Sequence, residues 1–165
     1  MAKQDVEINT ADGVAGAGLF RAGSGARAGL VFYMDAFGPR PVLDGMAERL
    51  ASLGYVVLVP DLFYRKAPYG PFDAKTAFSD EKTRPGLMGL LSGTTQAMTI
   101  RDSEAFLDAL ATHGATGPVG VIGYCMGGAR ALNAAASYPD RIKAAASFHG
   151  GNLASDNADS PHRRA

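Results

Sequence analysis

Short runs that are apolar throughout alternate along this chain with longer stretches in which apolar residues return every three or four positions. The two patterns predict different elements. Residues 30–34, Leu-Val-Phe-Tyr-Met, are too few for a helix and offer no polar face, as expected of a strand buried on both sides of a sheet. "YVVLVPDLFYR" predicts a second such strand, ended by Pro60 and Asp61; residues 118–123 predict a third and "IKAAASFHGG" a fourth. Helical spacing begins at Pro41, where Val42, Leu43, Met46, Ala47, Leu50 and Leu53 define one face and Gly54 supplies a C-terminal stop. Thr94 or Thr95 can N-cap a helix reaching Thr112, with Met98, Ala105, Phe106, Leu107 and Leu110 on its apolar face. A further helix is expected over residues 129–138, stopped by Pro139-Asp140.

The remaining segments complete the outline. Strands near residues 6–8 and 14–20 flank Ala11-Asp12-Gly13, a good hairpin turn. Gly23-Ser24-Gly25 reads as a flexible break. Residues 68–93 have poor periodicity and predict a long connection with a short helix, of the kind that lines sites on a rigid scaffold. From Asn152 the chain is polar, so residues 1–151 are expected to form one domain and 152–165 a loose tail. Apolar strands alternating with amphipathic helices predict βαβ units, hence an α/β fold. Its sheet should be mostly parallel, with helices on both faces and the antiparallel hairpin at its N-terminal edge. In such sheets sites form beyond the carboxyl ends of the strands. Asp35, Asp61, Cys125 and His149 each fall at or just after such an end.

Composition narrows the function. The 165 residues carry 16 basic and 16 acidic side chains, a balance without the cationic surplus a nucleic-acid or polybasic membrane partner requires. The polar start lacks a leader's apolar segment, and no apolar run approaches the roughly 18 residues of a membrane span. A single cysteine makes no internal disulfide, and no His or carboxylate cluster has metal-ligand spacing. The expectation is a cytoplasmic protein with a free thiol, no metal and no cofactor.

That thiol sits in "VIGYCMGGA". Gly123-Tyr124-Cys125-Met126-Gly127 fits G-x-nucleophile-x-G, the strand-turn-helix elbow, with Cys in place of Ser. The nucleophile of such an elbow occupies a strained backbone conformation, and a side chain two residues to either side would collide with neighbouring backbone. Both positions are therefore Gly. The positive end of the following helix favours thiolate over thiol. The Met126 N–H can face a developing oxyanion, and a second donor should come from the loop after residue 34, from Ala36 or Phe37. The alternative reading makes Cys125 a small buried apolar residue, with glycines that merely permit close packing. A dinucleotide loop is not matched, because G-x-G-x-x-G fails at Cys125.

"DAFG", "GYVVLVPDLFYR", "VIGYCMGGA" and "SFHGG", in this order and at these spacings, resemble the dienelactone hydrolase family of α/β-hydrolases over about residues 30–151. The resemblance implies hydrolysis of lactones or small esters through a Cys-His-Asp triad. It implies Cys125 as nucleophile, Ala36 and Met126 as oxyanion-hole donors, and Asp35 in the place of an acidic residue that contacts the resting thiol. It also implies a chain truncated at its carboxyl end. The family has two further strands, whose loops carry the triad Asp and His. Within this chain, His113 falls at a helix end and His162 in the polar tail, while His149 is expected to line the pocket or bond backbone rather than replace the triad His. Asp61 is expected to cap a turn. Tyr64, Arg65 and Tyr69 are expected near a pocket mouth, and Arg84 is a candidate for meeting a substrate carboxylate. Two functions follow: a cysteine hydrolase of small esters or lactones, inactive or slow as this chain stands, or a non-catalytic α/β binding module with a structural Cys125. In either, the strand "AAASF" would form an uncovered apolar edge and invite self-association.

Overall fold

The computed structural model describes residues 3–23 and 27–164. The break expected at Gly23-Ser24-Gly25 lies, apart from Gly23, outside the described residues. Strands β1 (Gln4–Thr10) and β2 (Gly13–Phe20) form the hairpin, and β2 pairs antiparallel with β4 (Val56–Pro60). The rest of the sheet is parallel: β4 beside β3 (Arg27–Tyr33), β3 beside β5 (Ala115–Tyr124), and β5 beside β6 (Ile142–Phe148). The order is β1-β2-β4-β3-β5-β6. Among the described residues there are four α-helices: α1 (Pro41–Ser52), α2 (Arg84–Gly93), α3 (Gln96–Thr112) and α4 (Met126–Ser137).

The order determines where the helices lie. The β3-to-β4 crossover through α1 moves toward the hairpin, whereas the β5-to-β6 crossover through α4 moves away from it. Right-handed connections of opposite sense put their helices on opposite faces. Accordingly α1 packs on β2 and β4, while α3 and α4 pack on each other and on β3 and β5. β4 contacts both α1 and α3, and β4 and residues 29–33 of β3 are buried, as their apolar runs require. Thr95 caps α3, its hydroxyl accepting from the Met98 N–H at 3.2 Å.

Two segments differ from the sequence expectation, and β6 decides between the two readings given for it. α4 starts at Met126, three residues before its alanine-rich pattern, because Gly127 and Gly128 are helical. β6 is the uncovered apolar edge expected of "AAASF" rather than a strand buried on both sides, with Lys143, Ala144, Ala145 and Phe148 exposed. The segment after Asn152 runs back over α4 instead of trailing loose. Ser160 and Pro161 are buried, and Asn133 Nδ2 donates to the Asp159 carbonyl at 2.9 Å.

One polar contact ties the hairpin to the helical layer. Asp102 on α3 is buried and receives Arg65 in a two-point ion pair, at 2.9 and 2.7 Å. Arg65 also donates to Asp12 in the β1–β2 turn at 2.7 Å, and exposed Arg101 adds a bond to the same Asp12 oxygen at 2.8 Å. Removing one partner of a buried pair leaves the other charged and unpaired. Arg65→Ala should therefore cost roughly 3 kcal/mol in urea unfolding, whereas Arg101→Ala, at the solvent-exposed end, should cost less than about 1 kcal/mol. Equal losses would show that Asp102 is not the centre of this contact.

Candidate active site at the Cys125 elbow

Strand register brings the site together. Tyr33 lies opposite Gly123 on β5, so the residues that follow, Asp35 and Ala36, continue at the level of Cys125 and Met126. Tyr124 lies opposite Phe148, which brings the start of the loop after β6 alongside. The Cys125 N–H donates to the Phe148 carbonyl at 3.0 Å, and the Cys125 carbonyl accepts from Gly128 at 3.1 Å and Gly151 at 3.4 Å.

Between these bonds Cys125 has φ 53° and ψ −116°, a region that non-glycine residues rarely enter. Its neighbours explain how the turn closes. A Cβ on Gly123 would overlap the Gly127 carbonyl, and one on Gly127 would overlap the carbonyls of Tyr33 and Met34. A Cβ on Gly128 would strike the Ser147 hydroxyl. The first turn of α4 thus rests directly on the backbone ends of β3, β5 and β6.

Cys125 is half-buried and lines a cavity of about 440 Å³. Ala36 and Met126 line it too. Among the described residues, no turn or loop hydrogen bond uses either N–H. The apolar wall is formed by Phe78, Met88 and Leu91, so the long connection does reach the site. Gln96 and Arg130 supply polarity. Arg130 is buried; one nitrogen, Nη2, donates to the Thr94 carbonyl, while among the described residues Nε and Nη1 have no hydrogen-bond partner. Burial pulls its pKa down to about 10, the Asp159 carboxylate acting in the opposite direction.

The other sequence candidates are distributed differently. Asp35 accepts from the Phe37 N–H at 3.0 Å and forms a two-point ion pair with Arg40, both contacts 2.6 Å. Among the described residues it makes no hydrogen bond to the thiol, contrary to the expected contact. His149 stands level with Cys125 at a φ of 40°, but it is exposed, with its ring edge-on to Tyr124 at 5.8 Å, and does not line the cavity. Tyr64 and Arg65 are held away in the Asp102 contact. Arg84 begins α2 and is exposed, away from the cavity that Met88 and Leu91 of the same helix reach. Asp61 does cap a turn, accepting from the Phe63 N–H at 2.8 Å and from Tyr69 at 2.5 Å. Burial nonetheless pushes its carboxyl above the usual range. His113 caps the end of α3, and His162 pairs with Ser160 in the returning segment. Arg130 and Gln96 escaped the sequence reading, although a lone arginine in the alanine-rich start of α4 was a legible anomaly. Phe78 and Met88 gave no signal, because their stretch is aperiodic. Among the described residues no group of three or more His, Cys, Asp or Glu could hold a metal, and no helix is long and apolar enough to cross a membrane.

A model of the dienelactone hydrolase family matches residues 19–165. A carboxymethylenebutenolidase of Pseudomonas sp. (strain P51) is 36% identical over 62% of this chain and 42% of its own length. One from Pseudomonas putida is 33% identical over 68% and 47%. The chain thus spans less than half the length of these relatives. Among solved structures, a dienelactone hydrolase-like promiscuous phosphotriesterase from metagenomic libraries superposes with a TM-score of 0.67 at 30% identity, over 96% of this chain and 64% of its own. A Klebsiella pneumoniae protein described as a candidate dienelactone hydrolase shares the fold with a TM-score of 0.77 at 22% identity, over 97% and 64%.

The glycine contacts yield a paired expectation. Gly127→Ala should destabilise the fold by roughly 3 kcal/mol or more, since backbone rather than a flexible side chain must yield. Gly45, mid-helix in α1 with nothing near its missing Cβ, should instead gain about 0.5–1 kcal/mol as Ala. Thermal denaturation of the two variants measures both. A Gly127→Ala variant as stable as the parent would mean that α4 does not sit this close to β3.

Proposed function

Since the chain belongs to the dienelactone hydrolase family, we propose that it carries the nucleophilic half of a hydrolase acting on small carboxylic esters or lactones. In this reading Cys125 Sγ, as thiolate, attacks the substrate carbonyl carbon. The carbonyl oxygen becomes an oxyanion that accepts from the Ala36 and Met126 N–H groups. Collapse of the tetrahedral species breaks the C–O bond; the alkoxide leaves, taking a proton from solvent, and Cys125 is left as a thioester. Water then has to be activated to release the acid. No histidine lines the cavity among the described residues, so this second half-reaction is assigned to a group the cavity does not contain.

The observation that carries this reading is the backbone of Cys125. A non-glycine residue held at positive φ costs about 1–3 kcal/mol and persists only where its surroundings enforce it. Here the enforced conformation belongs to a thiol that lines a cavity beside two unengaged N–H groups.

The edge strand supports a further part of the reading, self-association. β6 leaves one side of its backbone unpaired and exposes Ala144, Ala145 and Phe148. An antiparallel pair with a second copy, centred on Ala145, would set Lys143 opposite Ser147 and Ile142 opposite Phe148, with no like charges facing. Analytical ultracentrifugation should show a concentration-dependent dimer that Ala145→Pro weakens. A monomer at all concentrations would remove this element.

With p-nitrophenyl acetate, the chain should release about one equivalent of p-nitrophenol in a burst, then turn over slowly. Cys125→Ala should abolish the burst. A burst that survives Cys125→Ala would overturn the nucleophile assignment, and absence of any burst from the folded chain would favour a binding module. Sustained turnover lost in His149→Ala would assign the base to His149.

A further inference from the structure

We propose that the Asp35–Arg40 ion pair is a positioning device for the oxyanion hole, holding the loop that presents the Ala36 N–H to Cys125. This rests on the reading of Cys125 as a nucleophile and assigns Asp35 and Arg40 a role that needs no contact with the thiol. The loop between β3 and α1 has to place one peptide N–H level with Cys125 without a strand or helix to fix it. Four contacts do so from within. Asp35 Oδ1 accepts the Phe37 N–H at 3.0 Å, closing a turn around Ala36. Arg40 grips both Asp35 oxygens at 2.6 Å and also donates to the Gly38 carbonyl at 3.2 Å. Its guanidinium lies 5.2 Å from the Phe37 ring centroid.

The middle of this loop is also anchored from outside. Gly38, at φ 81°, lies against Tyr69, where a Cβ would come within 2.9 Å of the hydroxyl. Phe37 meets Phe78, which lines the Cys125 cavity, edge-on at 5.5 Å. The pair is half-buried rather than solvated, with side-chain exposures of 22% for Arg40 and 13% for Asp35. A two-point guanidinium–carboxylate contact also fixes orientation, which a single-point contact does not. Ala36 itself is buried and lines the cavity. Its N–H direction therefore depends on the peptide plane that the Asp35–Phe37 turn sets.

The test compares two reactions of the same thiol. Acylation by p-nitrophenyl acetate develops an oxyanion; alkylation by iodoacetamide, a displacement at saturated carbon, does not. Loss of an oxyanion donor costs about 10²–10³-fold, and misplacement by about 1 Å costs about 10²-fold. Arg40→Ala should slow burst acylation by about 10- to 100-fold while leaving the alkylation rate within about twofold, and Arg40→Lys should recover only part of the loss. If Arg40→Ala does not fold, Asp35→Asn decides, because it keeps the side-chain volume and an acceptor for Phe37 but loses the ion pair. A folded variant that acylates as fast as the parent would overturn the proposal, as would a parallel drop in both rates. Failure of the underlying reading looks different: the parent's burst would be absent or would persist in Cys125→Ala.

Discussion

At the carboxyl end of the sheet, the first turn of α4 lies on bare backbone. A Cβ at Gly127 would occupy the space of the Tyr33 and Met34 carbonyls, and one at Gly123 that of the Gly127 carbonyl. This approach sets much of the surrounding geometry. It fixes α4 against β3, β5 and β6, and α3, which packs on α4, follows. It forces the chain to reverse within a single residue, and that residue, Cys125, takes up the strain as a positive φ. It also brings the β3 loop, with Ala36, to the same cavity as the thiol.

Much of this was legible in the sequence. The glycines at 123 and 127 around Cys125 are required by sterics alone, and the structure gives each its obstructing carbonyl. The buried strands announced themselves as apolar runs, and the cap at Thr95 by residue type. What stayed hidden has physical reasons. The apolar run of β6 alone reads as a core strand, since apolarity records what a segment can bury; its place at an uncovered edge follows instead from the strand order that the family resemblance implies. Asp35 was read toward the thiol, but Arg40, five residues on, offers a two-point partner that a thiol cannot match. Register brings His149 level with Cys125, yet register does not specify which way a side chain faces, and His149 is exposed to solvent. Phe78 and Met88 reach the cavity from an aperiodic connection whose path no local pattern encodes.

The site is uneven in polarity. Phe78, Met88 and Leu91 make one wall apolar, whereas Arg130 brings a buried guanidinium with two unpartnered nitrogens. Burial of a charge is costly, and among the described residues the Thr94 carbonyl is its one hydrogen-bond partner. Cys125 lines the same cavity as both.

The central claim is that the fold, rather than intrinsic thiol chemistry, makes Cys125 an acyl acceptor. The most direct test is to expose the native and the urea-unfolded chain to a reactive lactone and quantify the acyl adduct on the Cys125 peptide by mass spectrometry. The account predicts rapid modification of the native chain and slow modification of the unfolded one, because only the folded state presents the strained elbow and its two N–H donors. An unfolded chain that reacts as fast as the native one would contradict it.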